Sequence, residues 1–112
     1  MLEMIIKDKN EIERAVCIIN LGILTALEQK LIIIEQAEKY LYSPFSMETL
    51  RNLNIRESII ELIHNGCELE DIESLLPEKI TDNIQRLKKD TIELLGSLSR
   101  EEISEEKWFK EE

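Results

Sequence analysis

A chain of 112 residues with 14 basic and 24 acidic side chains, and a formal charge of −10, lacks the basic face that nucleic-acid phosphates demand. Hydrophobic residues make up 43%, with three glycines, two prolines and few aromatics. That suits one small domain with a modest core, and the abundance of Leu, Ile, Glu and Lys favours helix over sheet. The surface is soluble and self-repelling, which fits either solubility alone or a basic protein partner.

The chain starts without the basic region, apolar run and small-residue site of a secretory leader. Its longest apolar stretch is too short to span a bilayer, which needs about 20 apolar residues. A cytoplasmic protein is expected, with Cys17 and Cys67 as reduced thiols. Cys17 reads as a small buried hydrophobe.

Met1 to Lys7 includes the apolar run Met4, Ile5 and Ile6, either a brief strand or an extended arm on the core. Asp8 and Asn10 are both plausible N-caps for the next helix, with Glu11 and Glu13 in its first turn where the dipole favours acids. Ile12 to Leu27 is the hub of the chain. Ile12, Val16, Ile19, Ile23 and Leu27 recur at helical spacing, and Ala15, Ile18, Leu21 and Leu24 widen the stripe until most of the surface is apolar. Such a helix is buried from several sides, and it should end near Gln29 or Lys30.

Leu31 to Ile34 is four consecutive aliphatics, three of them β-branched. It reads as a short strand pairing with Met4 to Ile6 or as a buried connection; the connection is favoured, because a lone two-stranded pair is marginal. Glu35 to Tyr42 reads as a short helix with Ala37, Tyr40 and Leu41 inward, stopped by Ser43 and Pro44. Ser46 is a predicted N-cap for a helix with Met47, Leu50 and Leu53 apolar, closed by Asn54 in a left-handed conformation. Ile55 to Asn65 follows with Ile59, Ile60, Leu62 and Ile63 inward, and Asn65-Gly66 is a strong stop signal. Glu68 to Leu75 is a short acidic helix with Leu69, Ile72, Leu75 and Leu76 apolar. Pro77 suits the first position of the final helix. That helix runs to Leu98 with Ile80, Ile84, Leu87, Thr91, Leu94 and Leu98 on one stripe, widened by Ile92 and Leu95. Residues 1–98 thus form one helical domain, and 99–112 an acidic C-terminal tail. The predicted fold is all-α, a compact bundle of five to six helices around the hub, with room for a minor two-stranded element.

The acidic charge is uneven. Glu57 to Asp82 holds eight acids against Lys79 alone, a net of −7. This is either two solvated helix faces or a face for a basic partner, whose association its field would accelerate. His64, Cys67, Glu68 and Asp71 can all ligate metal, but no second Cys or His cluster completes a tetrahedral site. No metal and no cofactor are expected, and His64 suits the partial negative charge at its helix C-terminus. Catalysis needs a nucleophile with a base, or paired carboxylates in a cleft. The single His has no identifiable partner and the acids lie on outer faces, so the chain reads as a non-enzyme. Trp108 and Phe109 in the tail are either a latch onto the bundle or an anchor for a partner. Tyr40, Tyr42 and Phe45 around Pro44 read as loop-side core.

The segments Glu35-Gln36-Ala37-Glu38-Lys39-Tyr40-Leu41-Tyr42-Ser43-Pro44, Ile60-Glu61-Leu62-Ile63-His64-Asn65-Gly66 and Glu68-Leu69-Glu70-Asp71-Ile72-Glu73-Ser74-Leu75-Leu76-Pro77 resemble an uncharacterised family of small bacterial cytosolic proteins. The resemblance implies a single-domain bacterial protein and transfers no activity. Immunity proteins that neutralise toxins share its size and charge, which is an analogy and not a motif.

The leading expectation is a non-enzymatic interaction module, of immunity or regulatory type, binding a basic protein through Glu68, Glu70, Asp71 and Glu73, with Trp108 and Phe109 as further contacts. Nucleic acid and membrane are not expected partners. The rival is a structural homo-oligomer, such as a homodimer, assembled through the last helix and aromatic tail. A third reading is an enzyme using His64.

Overall fold

The computed structural model describes residues 1–98, 100 and 104–111. Of the two candidate caps, Asp8 opens the first helix: its carboxylate accepts from the Glu11 backbone N–H at 3.1 Å. Helix α1 then runs Lys9–Glu28. Lys30 ends it at φ 59°. The Lys30 and Leu31 N–H groups donate back to the carbonyls of Leu27 and Ala26, a Schellman closure with lysine where glycine is usual.

Leu31 to Ile33 is a connection and pairs with no strand. Helix α2, Ile34–Tyr40, follows it, held at its start by the Gln36 side chain accepting from the Ile33 N–H. Helix α3 is Pro44–Asn52. Here the expected cap is corrected. Ser43 caps α3 by accepting from the Ser46 N–H at 3.2 Å, and Pro44 takes the first helical position, where its missing donor costs nothing. Ser43-Pro44 opens a helix instead of only closing one. Asn54 closes α3 at φ 59° in a second Schellman turn, with the Ile55 N–H on the Leu50 carbonyl and both side chains buried.

Helix α4, Glu57–Cys67, passes straight through the expected stop at Asn65-Gly66. Gly66 keeps a negative φ. Its lack of a side chain serves packing: a Cβ there would lie 2.3 Å from Cε1 of Tyr42. Helix α5 is Leu69–Leu75. Pro77–Lys79 forms one 3₁₀ turn, and helix α6 is Ile80–Ser97. Among the described residues, four helices of nine or more residues (α1, α3, α4, α6) build the bundle, fewer than the five to six expected. The segments around 35–42 and 68–75 shrink to seven residues each: Leu41 leaves helical geometry at φ −152°, and Glu68 is the joint between α4 and α5.

Strands β1, Leu2–Met4, and β2, Phe109–Glu111, pair antiparallel with Met4 opposite Phe109. The expected alternative pairing of the first strand with 31–34 is replaced by this one, which uses the tail. The protein is therefore mostly helical with a two-stranded antiparallel sheet.

The core lies where α1 packs along α6 and both meet α4. Cys17, Leu24, Ile59, Ile60, Ile63 and Leu69 are at most 1% exposed. Burial pushes the Cys17 thiol up to about 11, with the Glu13 charge adding to it. The hub is not covered all round. Ile18 is exposed, because the neighbours of α1 gather on the side of α6 and α4. Tyr40, Phe45, Leu53, Leu75 and Leu76 are also exposed; of the three aromatics around Pro44, Tyr42 alone enters the core. Tyr42 donates to Asn20 Oδ1 at 2.6 Å, and Asn20 Nδ2 donates to Thr91 Oγ1 at 2.9 Å. Thr91 in turn donates to the Leu87 carbonyl. This buried chain joins α1, α6 and the turn before α3. Glu13, 1% exposed, accepts from the Arg56 backbone N–H at 3.0 Å and pairs with its guanidinium at 3.1 Å.

Candidate functional site

Seven residues make α5 a two-turn helix, and Leu69 alone of them is fully buried. Glu70, Asp71 and Glu73 therefore project to solvent, and Glu68 does so from the joint with α4. His64 Nδ1 lies 3.3 Å from Glu68 Oε1, so His64 spends its ring on an i,i+4 contact at the end of α4. The fold then adds acids that the sequence separates from this run. Helix α2 brings the Glu38 carboxyl close to that of Glu70, with the charge of Glu35 close by. This contact, with partial burial and the two like charges, pushes Glu38 up to about 6. Two carboxyl groups in contact hold one proton more readily than two charges. Burial, together with the Glu38 charge, also raises the Cys67 thiol.

A hollow of 360 Å³ adjoins this face. Its walls are aliphatic, from Leu27, Ile32, Ile33, Ile34, Ile80 and Ile84, with Glu28, Lys30, Glu73 and Thr81 as polar lining. Glu28 is already engaged. Lys88 Nζ lies 2.9 Å from it and the Gln85 amide donates to it, and the Lys88 hydrogen bond holds its carboxyl below the usual range. Glu73 belongs both to the hollow and to the acid run of α5.

Trp108 and Phe109 lie elsewhere. Trp108 is half-buried beside Ile6, Asp8 and Glu11, at the N-terminal end of α1, and its carbonyl accepts from the Ile5 N–H. Phe109 is exposed on the ribbon with Leu2 and Met4. The hollow beside α5 meets α1 at Leu27 and Glu28, its other end. A helix of 20 residues separates the two places by roughly 30 Å. Glu68, Glu70, Asp71 and Glu73 are thus all exposed on and beside α5, and the two aromatics lie away from them. Among the described residues no three of His, Cys, Asp and Glu converge to hold a metal ion, and no helix is long and apolar enough to cross a membrane.

Residues 7–110 match a family described as a protein of unknown function, DUF3969. The chain belongs to that family. No curated protein and no solved structure matches it. The DUF3969 span takes in every helix, the acidic face, the hollow and the start of β2. Sequence reasoning missed Glu35, Glu38, Glu28 and Thr81 as parts of this region. Their spacing carries no signal, since tertiary packing alone brings α1, α2, α5 and α6 together here.

Proposed function

We propose that this protein is a non-enzymatic interaction module that binds a basic protein partner through the acidic face of α5 and α2. A role of immunity or regulatory type, in the cytoplasm of a bacterial cell, fits that reading. The supporting observation is the Glu38–Glu70 contact: among the described residues no Lys or Arg pairs with either carboxyl. A basic side chain from a partner relieves that repulsion, and the surrounding field speeds its approach. The test is capture of partners by the tagged protein at low and high salt, repeated with Glu70→Lys and Asp71→Lys together. A basic protein retained at low salt, lost at high salt and lost on charge reversal supports the module. Salt-independent capture that survives reversal refutes it.

A second reading is a homo-oligomer assembled through the last helix and the aromatic tail. It is favoured by the exposure of Ile92 on α6 and of Leu2, Met4 and Phe109 on the ribbon. Sedimentation equilibrium at high protein concentration decides it; a monomer throughout removes the idea.

A further inference from the structure

Beside the acidic face, the chain segments that border the 360 Å³ hollow carry apolar surface to solvent. Ile33, which lines the hollow, is 59% exposed and Leu31 75% on the connection before α2; farther along, Leu75 at the end of α5 is 76% exposed and Leu76 after it 50%. Large aliphatics held in water beside an aliphatic hollow are the mark of a surface that is covered in use. The hollow itself sits at the low end of the ligand-pocket range, roughly 300–1,000 Å³. It has room for a few apolar side chains and none for a large cofactor.

Charge says what kind of chain covers it. Glu28 is paired with Lys88 and accepts from the Gln85 amide; the lining also holds the cation Lys30, and Glu73, in none of the ion pairs found among the described residues, is its carboxylate on the α5 side. Glu73 continues into Asp71 and Glu70 on the same helix. An occupant therefore needs an apolar stripe for the hollow and basic groups flanking it toward α5. Helices and their connections wall the hollow, with no strand edge for an added strand to pair with. The arrangement matches the recognition of an amphipathic helix by anchors at i, i+3, i+4 and i+7.

We propose that the hollow seats the apolar face of a basic amphipathic helix of the partner, whose lysines or arginines lie on Glu70, Asp71 and Glu73. This rests on the acidic-face reading and adds the form of the partner. The probes are two synthetic lysine-rich helices of roughly 15 residues, alike except that one carries Leu and the other Ala at the four anchor positions. Each is titrated into the protein and into Thr81→Trp, which sets an indole at the mouth of the hollow from an exposed position and leaves every acid in place. Binding is read by calorimetry and by amide shifts, with circular dichroism to confirm the variant's fold. The Leu peptide should bind at least about tenfold tighter than the Ala peptide. It should shift Ile33, Glu73 and Thr81, and it should lose that advantage in Thr81→Trp. Equal, salt-sensitive binding of both peptides, untouched by Thr81→Trp, overturns this inference and leaves the acidic face standing. Failure of both peptides to bind at low salt overturns the two together.

Discussion

Single side chains settle features that no pattern in the chain announces. Tyr42, Asn20 and Thr91 form a closed polar chain in the core. Tyr42→Phe leaves the buried Asn20 carbonyl without its donor and should cost about 1–3 kcal/mol. Gly66→Ala drives a methyl into the Tyr42 ring and should cost a similar amount, about 1–3 kcal/mol. Gly22 and Gly96 are also helical, but a Cβ at either meets nothing within 4 Å. Gly22→Ala and Gly96→Ala should each stabilise by about 0.5–1 kcal/mol. Urea unfolding of the four variants checks these signs, and a destabilised Gly22→Ala would contradict the packing described for α1. The sequence marks Gly66 as a helix stop because Asn-Gly is a turn signal. The tyrosine that makes glycine necessary there lies 24 positions away, beyond the reach of local rules.

At the scale of elements, the long helices were legible and their junctions were less so. The apolar stripes of α1, α4 and α6 follow helical spacing and survive in the structure. The left-handed residue at Asn54 was legible too, because asparagine tolerates that conformation. The equivalent residue after α1 is Lys30, which carries no such signature. The role of Glu13 was also hidden. Its place in the first turn suits an acid at a helix start, yet it turns inward and serves α4. Its carboxylate accepts from the Arg56 N–H, at the N-terminal end of a helix whose own cap residue supplies no side-chain bond. It thus places negative charge where the α4 dipole is positive. Arg56→Ala keeps that backbone bond but strips the guanidinium from a buried carboxylate, and should cost about 1.5–3 kcal/mol. Arg56→Lys should recover only part, since one ammonium cannot reproduce the two-nitrogen contact. Thermal unfolding of the pair measures both; equal stability of all three proteins would mean that the guanidinium adds nothing to the backbone bond.

For the molecule as a whole, the net charge of −10 brings a pH dependence. Glu38 titrates near 6 in the folded chain against an ordinary 4.5. The folded state therefore holds its proton more tightly than the unfolded state. The unfavourable contribution of the pair is absent below 4.5, develops between 4.5 and about 6, and is complete above. Glu70→Gln should remove that window and return Glu38 to the ordinary carboxylate range, as carbon NMR of the carboxyl resonances would show. The pair is exposed, so its effect on stability is small. Its effect on binding is plainer: a cation docking there favours the charged form of Glu38 and should release its proton. Calorimetry near pH 6 in buffers of different ionisation heat should register proton release with a basic ligand. The candidate face was half visible in the sequence, as the acid run of residues 57–82. The other half, on α2, and the hollow exist only once α1, α2, α5 and α6 have come together.

The pairing of Leu2–Met4 with Phe109–Glu111 joins residues almost a full chain length apart. Closing so long a loop is entropically the most demanding contact in the fold, and three residues a side return little for it. The ribbon should therefore act as a clasp: fastened after the helices have found one another, and released before they part. In native-state hydrogen exchange the amide of Ile5, bonded to the Trp108 carbonyl, should open far more often than those of Leu24 or Ile63. Protection of Ile5 equal to that of the core would mean that the clasp and the bundle fold as one unit.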